Sequence, residues 1–501
     1  YAGSGGSHPR HIALKGAGNM EQNIYRLLGK GVYPFAAYCS PQCACERGGV
    51  RYPSRITQAQ YDLLAEAGVN LFYGHSEVAG GARGADVWTA LDCAKRAGVG
   101  YLARFEEAQE YVSLGTRGYA AYADLTKAQK ADLDARFARS LEKYARHPAF
   151  YGVSFIDEPG SDMFEGIVAA KKVFGEVCGD KFFYVNLFPY YVTPEQYQYS
   201  FVSDQKKCTR QEFSYGHTNL QRYRAYAEEF LDRVRPEVYS YDAYPFVTLG
   251  KGAETGIHEV LYDIPGYLAE TERKRGIPFW MFMQEGGKWE GDMGVRVPNS
   301  SEHRLQYNVA LAYGAKGLQL FPCCYPNDWL DDTVCRAGLV DRMGQTTDFY
   351  GYFRREARQV RAAGSVLLDA KWEGMMQAGE FNGLLPDEKE LSLIRWNECI
   401  FRGKLPGGEN YLLSSHGAIE RVCATSQVLI GCFKKEGKDL YYVVNNSSAT
   451  SANVTVRFAN RQAGTFIRNG ETEKCAAQEW KLCSLEAGEG VLLLPERKEG
   501  E

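Results

Sequence analysis

The chain has 501 residues, of which 45% are hydrophobic, and this length suits a barrel of about 250–400 residues with a smaller module attached. Its formal net charge is −4, which provides no basic surface for nucleic acid or for an anionic membrane. No apolar run approaches the roughly 18 residues that a membrane span needs, so we expect neither nucleic-acid binding nor a membrane span.

The chain begins at Tyr1 rather than at Met, and its first residues are rich in Gly and Ser. We interpret residues 1–24 as an N-terminal leader that precedes the folded part. Removal of an export signal would agree with such a start, and we therefore expect a secreted or periplasmic bacterial protein. The sequence carries no signal for a particular oligomeric state.

After the leader, short apolar runs alternate eight times with amphipathic helical stretches, a pattern typical of a parallel sheet. The predicted strands are residues 32–39, 69–73, 99–105, 151–156, 182–187, 238–241, 279–283 and 317–321. The predicted helices are residues 58–67, 85–97, 127–146, 165–177, 220–233, 259–274, 302–313 and 350–363. This order predicts a (β/α)8 barrel over residues 25–365. An open doubly wound sheet is the alternative, but the Gly-rich phosphate loop typical of that fold is missing after the first strand.

Beyond the barrel the pattern changes to short strands separated by Gly, Asn and Ser. The predicted strands are residues 411–414, 428–433, 440–444, 453–458 and 490–494. Residues 435–438 and 445–448 have the composition of hairpin turns. Residues 366–501 are therefore predicted to form a small antiparallel β-sandwich.

Two glutamates follow barrel strands directly. Glu158 comes after the fourth strand, in Asp157-Glu158-Pro159, and Glu285 comes after the seventh, in Gln284-Glu285-Gly286. The active site of such barrels lies at the carboxyl ends of the strands, so both side chains are predicted at one mouth. Two carboxyl groups there could cleave a glycosidic bond, one as acid and the other as nucleophile or base. The alternative is that each glutamate forms a structural ion pair with a nearby basic residue.

This placement resembles clan A of the glycoside hydrolases, the retaining enzymes on (β/α)8 barrels, in which a β-sandwich after the barrel also recurs. The resemblance implies that Glu158 is the acid/base and Glu285 the nucleophile. It also implies that Tyr244, after the sixth strand, hydrogen-bonds the nucleophile. The enzyme would then hydrolyse O-glycosidic bonds of oligosaccharides, polysaccharides or glycoconjugates by a retaining double displacement, without a cofactor.

One departure from the clan opens an alternative mechanism. The clan usually has Asn before the acid/base glutamate, whereas this chain has Asp157. An Asp-Glu pair resembles the substrate-assisted N-acetylhexosaminidases, where the Glu is the acid and the Asp orients the 2-acetamido group of the substrate. Glu285 would then be only a substrate ligand. A non-catalytic carbohydrate-binding barrel is the alternative from another class, and a barrel lyase or aldolase lacks an obvious Schiff-base lysine at a strand end.

Polar and aromatic residues near the strand ends could line a sugar-binding cleft, because sugar C–H faces pack on rings while amides and imidazoles bind hydroxyls. Each residue alone could equally be packing. The candidates for substrate binding are Asp157, Asn186, Tyr244, Asp242, His75, Tyr190, Trp289 and Trp329, with Tyr73, Tyr191 and Phe246 as further aromatic candidates. Asp242, after the sixth strand, could orient hydroxyls or pair with a base.

Five of the 14 cysteines follow neighbouring barrel strands. These are Cys39, Cys43 and Cys45 after the first strand and Cys323 and Cys324 after the eighth. Thiolate clusters bind zinc, but this spacing is not that of a standard zinc site. Unpaired thiols, a disulfide and a metal site are all open, with no metal as the main expectation.

Overall fold

The computed structural model describes residues 22–190, 192–201, 219–249, 254–257, 259–290, 293–326, 338–379, 411–459, 463–476 and 479–496. In chain order the first elements are α1 (Asn23–Leu28), β1 (Phe35–Ala37), β2 (Cys45–Arg47), β3 (Val50–Tyr52), α2 (Gln58–Ala67), β4 (Leu71–Tyr73), α3 (Gly84–Ala97), β5 (Gly100–Ala103), α4 (Glu107–Tyr111), α5 (Lys127–Ala145), β6 (Phe150–Asp157), α6 (Phe164–Cys178) and β7 (Phe182–Leu187).

The next elements are α7 (Pro194–Tyr199), α8 (Asn219–Val234), β8 (Tyr239–Tyr241), β9 (Phe246–Leu249), β10 (Glu254–Ile257), α9 (Asp263–Arg275), β11 (Phe279–Gln284), β12 (Lys288–Glu290), β13 (Met293–Val295), α10 (Ser300–Ala312), β14 (Gly317–Phe321) and α11 (Asp348–Leu367). The chain ends with β15 (Lys371–Ala378), β16 (Ile419–Ala424), β17 (Val428–Lys435), β18 (Lys438–Asn445), β19 (Ala452–Phe458), β20 (Gly464–Arg468), β21 (Glu471–Cys475), β22 (Glu479–Leu485) and β23 (Gly490–Pro495).

Eight parallel strands close into a barrel in the order β1-β14-β11-β8-β7-β6-β5-β4. The first and last strands of the series are paired, with Phe35 opposite Leu318 and Ala37 opposite Leu320. The strands are buried and the connecting helices cover them, as the apolar runs predict. The predicted (β/α)8 barrel is therefore confirmed.

The loops at the mouth of the barrel carry strands of their own, which the sequence pattern does not predict. β2 and β3 form a hairpin after β1. The connections that follow β8 and β11 join into a four-stranded antiparallel sheet in the order β10-β9-β13-β12. This small sheet ties together the loops after the sixth and seventh barrel strands, next to the predicted site.

The C-terminal region is antiparallel. One sheet has the order β15-β17-β18-β23-β20-β21 and the other has the order β16-β19-β22. Buried side chains from both sheets, Trp480 and Val443 among them, form a separate apolar cluster between them. The predicted β-sandwich is confirmed. The last barrel helix ends at Leu367, and β15 begins at Lys371.

Within the described part of the chain, no helix is both long enough and apolar enough to cross a membrane.

Candidate active site

The end of β6 places two carboxyl groups at the mouth of the barrel. Asp157 is the last residue of the strand, and Glu158 follows with a φ of +48°, a left-handed conformation that costs free energy for a residue with a side chain. Hydrogen bonds hold this backbone: the Glu158 N–H donates to Asn186 O (3.0 Å), and Ser200 Oγ donates to Glu158 O (2.7 Å). Backbone strain of this kind concentrates at functional sites.

The carboxylate of Asp157 is held on both oxygens. The Tyr38 hydroxyl donates to Oδ2 (2.7 Å), and Asn186 Nδ2 donates to Oδ1 (3.0 Å). Tyr38 comes from the end of β1 and Asn186 from β7. Two donors from two strands therefore fix the direction of this half-buried carboxylate.

A third carboxyl group, that of Asp242, joins them from the end of β8. Its side chain is 7% exposed and hydrogen-bonds the side chains of Asn186 and Glu158. Within the described residues its Oδ1 has no hydrogen-bond partner. Burial, followed by the charge of Asp157, raises the pKa of Asp242 to about 8. Asp157, Glu158 and Asp242 are called the carboxyl cluster below.

The carboxyl groups of Glu158 and Asp242 hydrogen-bond each other. Two carboxyl groups that hydrogen-bond each other must share a proton, since a carboxylate is only an acceptor. The raised pKa of Asp242 agrees with this, because it means that the ionised form of this carboxyl group is disfavoured. Such a pair can supply a proton to a leaving group, which is the first requirement for acid-catalysed bond cleavage.

The described hydrogen bonds of Glu285 go to a helix rather than to this cluster, and its role as nucleophile stays a prediction. Its side chain has 0% exposure. Its Oε2 lies 2.8 Å from His303 Nε2, and the Tyr307 hydroxyl donates to Oε1 (2.5 Å). Both partners belong to α10, which packs outside the barrel. The carboxylate therefore occupies the layer between barrel and helices.

The pleat of the strand explains this placement. Phe282 points into the mouth, with its ring centroid 5.5 Å from that of Tyr38. Successive side chains of a strand alternate between faces, so a residue three positions later faces the opposite way. The inward position near the strand end is Gln284, whose amide bonds the backbone of Phe246 and Arg296. Gln284 thus fastens the small sheet to the barrel.

Of the other residues predicted to bind substrate, Asn186, Tyr244 and His75 have described contacts. Asn186 lies in the site, as described. The ring centroid of Tyr244 is 5.2 Å from that of Phe321, and the tyrosine seen on Glu285 is Tyr307. The carbonyl of His75 accepts from Arg104 Nη1 (3.2 Å).

The remaining aromatic candidates are buried or partly buried in the barrel, or their side chains are not described. Tyr190 is partly buried against the core, Phe246 is fully buried, and the hydroxyl of Tyr73 points into the barrel interior. Trp289 falls in β12, while Tyr191 and Trp329 lie outside the described residues.

The cysteines after the first and eighth strands are only partly brought together. The Cys324 N–H donates to Cys39 O (2.8 Å), and the thiols of Cys323 and Cys324 hydrogen-bond each other. Cys43 is turned toward Asp86, with Sγ 3.2 Å from Oδ2. Cys45, in β2, is half-buried. In the described ranges, no group of three or more His, Cys, Asp or Glu side chains is placed to hold a metal ion.

Sequence reasoning missed Tyr38 as a site residue. It follows β1 directly, in the same position relative to its strand as Glu158 has after β6. The predicted first strand, residues 32–39, includes Tyr38, so the strand-end rule finds this residue only once the strand is known to stop at Ala37.

Comparisons with known proteins give only structural likenesses. No family model matches the chain, and no curated protein is significantly similar to it in sequence. The structure is similar to that of a β-galactosidase from Bacillus circulans sp. alkalophilus, with 10% identity over 93% of this chain and 99% of that chain and a TM-score of 0.49.

It is also similar to a family 39 glycoside hydrolase from the gut symbiont Bacteroides cellulosilyticus WH2, with 9% identity over 93% of this chain and 81% of that chain and a TM-score of 0.45. Similarity to a β-galactosidase from the psychrophilic Marinomonas ef1 covers 70% of this chain and 63% of that chain, with 13% identity and a TM-score of 0.41. At these identities and TM-scores the likenesses carry no argument about the reaction.

Proposed function

We propose that the chain is a glycoside hydrolase that cleaves O-glycosidic bonds with Glu158 as the proton donor. The observation that supports this is the hydrogen-bonded pair of Glu158 and Asp242 at the carboxyl end of a (β/α)8 barrel. A strained backbone at Glu158, held by Asn186 and Ser200, keeps the acid in a fixed direction. Preorganisation of this kind is what acid catalysis on a poor leaving group requires.

The double displacement with Glu285 as nucleophile has little support. A nucleophile must reach the anomeric carbon, and the two carboxyl groups of a retaining pair stand about 5–5.5 Å apart across the sugar. The Glu285 carboxylate has no exposed surface and bonds His303 and Tyr307 on α10. It is better explained as a buried structural group.

We propose instead that the substrate supplies its own nucleophile, which makes 2-acetamido-2-deoxy sugars the substrate class. The acetamido oxygen attacks C1 and the C1–O bond to the leaving group breaks, while Glu158 gives its proton to the departing oxygen. Water then opens the cyclic intermediate and passes a proton back to Glu158. Asp157 orients the acetamido N–H, a role that its two fixed oxygens favour.

The test compares three variants on aryl glycosides with and without a 2-acetamido group, in both anomers. Glu158→Gln should lower kcat by about 10²–10⁴-fold, because the proton donor is lost. Asp157→Asn should lower kcat on acetamido sugars strongly. Glu285→Gln should keep kcat within a few-fold of the wild-type value. The measurement is the release of phenol from phenyl glycosides, because phenol is a poor leaving group that needs the proton of the acid.

Two outcomes would contradict these assignments. If Glu285→Gly lost turnover and azide restored it with formation of a glycosyl azide of inverted configuration, the double displacement would be correct. If wild-type protein hydrolysed none of the aryl glycosides but bound sugars in calorimetry, the non-catalytic carbohydrate-binding alternative would replace the enzyme.

A further inference from the structure

A hydrogen-bond network fills the barrel interior beneath the carboxyl cluster. Gln319 Oε1 accepts from the hydroxyls of Tyr73 (2.6 Å) and Tyr184 (2.5 Å), and its Nε2 donates to Ser240 Oγ (2.9 Å). Ser240 Oγ in turn donates to Asn186 Oδ1 (2.7 Å). These five side chains come from β4, β7, β8 and β14, and all are at most 2% exposed.

The direction of each bond follows from the number of protons. Ser240 has a single hydroxyl proton, and Asn186 Oδ1 can only accept, so that proton points to Asn186. Ser240 Oγ is then an acceptor toward Gln319 Nε2 and toward the Tyr184 hydroxyl, which lies 2.8 Å away. With its oxygen on Ser240, Asn186 must turn its NH2 group toward Asp157 and Asp242. A flipped amide would put an oxygen against two carboxyl groups.

We propose that Ser240 and Gln319 are positioning residues that lock the amide of Asn186, and through it the carboxyl cluster, in the arrangement that the reaction needs. Neither residue contacts the mouth directly; both act through Asn186. The effect on turnover rests on the proposed function, whereas the effect on the protonation of the cluster does not.

Loss of the Ser240 hydroxyl has a defined electrostatic consequence. The groups that face Asp242 are Asp157 and Glu158 from β6, with Tyr184 and Asn186 from β7. Of these, the Asn186 and Glu158 hydrogen bonds favour the ionised form and lower the pKa of Asp242, while the charge of Asp157 raises it. A loosened Asn186 amide donates less, so the pKa of Asp242 rises further.

The first measurement is the pH dependence of kcat on the aryl glycoside that the wild-type enzyme hydrolyses best. Ser240→Ala should lower kcat roughly ten-fold with KM little changed, because the cluster is displaced while sugar contacts remain. The basic limb of the profile should move to higher pH by about half a unit or more, since the shared proton is then held more tightly. Gln319→Met should move the basic limb in the same direction, but by less than Ser240→Ala does.

The second measurement does not need a substrate. The pKa of Asp242 is about 8 in the folded state and about 4 in the unfolded chain. The stability that protonated Asp242 contributes is therefore present below about pH 4 and falls as the pH rises from about 4 to about 8. Above the folded-state pKa it changes no further. A higher pKa extends that loss to higher pH. The Tm difference between wild type and Ser240→Ala should therefore widen above pH 8.

Tyr73→Phe is the matched control, because it removes a hydroxyl of the same network while Tyr184 still donates to Gln319. Its basic limb and the pH dependence of its Tm should follow the wild type. The proposal would be overturned if the Tm of Ser240→Ala ran parallel to that of the wild type at all pH values and the basic limb of its kcat profile did not move. If no glycoside were hydrolysed, the proposed function would fail, and the Tm curves would still decide this inference.

Discussion

Glu158 and Glu285 look alike in the sequence, since each follows an apolar strand and precedes Pro or Gly. In the structure their side chains point to opposite faces of the barrel wall. Both residues lie at the level of the strand end, but Glu158 adopts a left-handed φ that turns it to the cluster, whereas Glu285 continues the alternation outward. A sequence motif shows how far along a strand a residue lies. The direction of its side chain depends on the residue at which the regular strand ends, and the sequence does not define that end to one residue.

The carboxyl cluster itself was partly predictable. Asp157, Glu158, Asn186 and Asp242 all follow from the rule that strand ends carry function, and the structure brings all four together. Their mutual hydrogen bonds were not predictable, because they depend on which strands are close across the barrel. The positions of the cysteines were not predictable for a similar reason: β1 and β14 are neighbours, but the thiol of Cys43 faces Asp86 while that of Cys324 faces Cys323.

A prediction at the residue scale follows for Glu285. Glu285→Ala should lower the free energy of unfolding by about 3 kcal/mol, because His303 and Tyr307 lose a buried charged partner. The measurement is urea unfolding at neutral pH. Asp157→Ala is the comparison: it lies at the half-buried mouth, so it should lose less stability and far more turnover. A Glu285→Ala protein with wild-type stability but no activity would contradict this assignment.

At the scale of elements, the alternation of apolar runs was sufficient to predict all eight barrel strands and their helices. The mouth sheet was not predicted because β10, β12 and β13 have only three or four residues each and no alternating pattern. Its pairing also joins segments far apart in sequence, such as Val247 with Val295. Short strands stabilised by non-local pairing leave little trace in the local sequence.

Helix α10 is the element on which the buried glutamate depends, and its first turn is strongly capped. Asn299 Oδ1 accepts from the N–H groups of Ser301 and Glu302, both at 3.0 Å, and Glu302 also pairs with Arg296. Asn299→Ala should lower the free energy of unfolding by about 1 kcal/mol. The measurement is again urea unfolding, with Asn299→Asp as the variant that keeps the cap.

Thr126→Ala, at the capping box of α5 on another side of the barrel, provides the independent reference and should cost a similar amount. Neither cap substitution touches the carboxyl cluster, so kcat should change little in both. Wild-type stability in Asn299→Ala would mean that the first turn of α10 is held by Glu302 and Arg296 alone.

For the whole molecule, the sequence predicted two consecutive domains, and the structure shows how they share a core. The side chains of α10 from Glu302 to Ala312 are all buried, because the helix lies between the barrel and the six-stranded sheet. Leu429 and Phe433 of β17 belong to the same apolar cluster as the barrel interior. The shift to short strands marks the boundary in sequence but carries no information about which helices the sheet covers.

Polar contacts across this boundary are specific. The Tyr442 hydroxyl donates to Asn308 Oδ1 (2.6 Å), and Gln359 Nε2 donates to Gly490 O (3.0 Å). Gly431 lies so close to α10 that a Cβ atom there would be 2.1 Å from Ala312 O. The two domains therefore fit closely enough that neither should lose its structure while the other remains intact.

The last prediction tests that coupling by calorimetry. Wild-type protein should unfold in one transition, since the apolar cluster that spans the boundary is exposed only when both domains open. Gly431→Ala should lower the Tm of that single transition, because the added methyl group forces the sheet away from α10 at a cost of roughly 1–3 kcal/mol.

Gly175→Ala in α6 is the matched control: apart from the backbone of its own helix, nothing lies within 4 Å of the added Cβ, so the better helix propensity of Ala should raise stability by up to about 1 kcal/mol. We expect a single transition in both variants, with a lower Tm in Gly431→Ala and a higher Tm in Gly175→Ala. Two separate transitions, with Gly431→Ala moving only the one that belongs to the sandwich, would show that the close contact between β17 and α10 does not couple the domains.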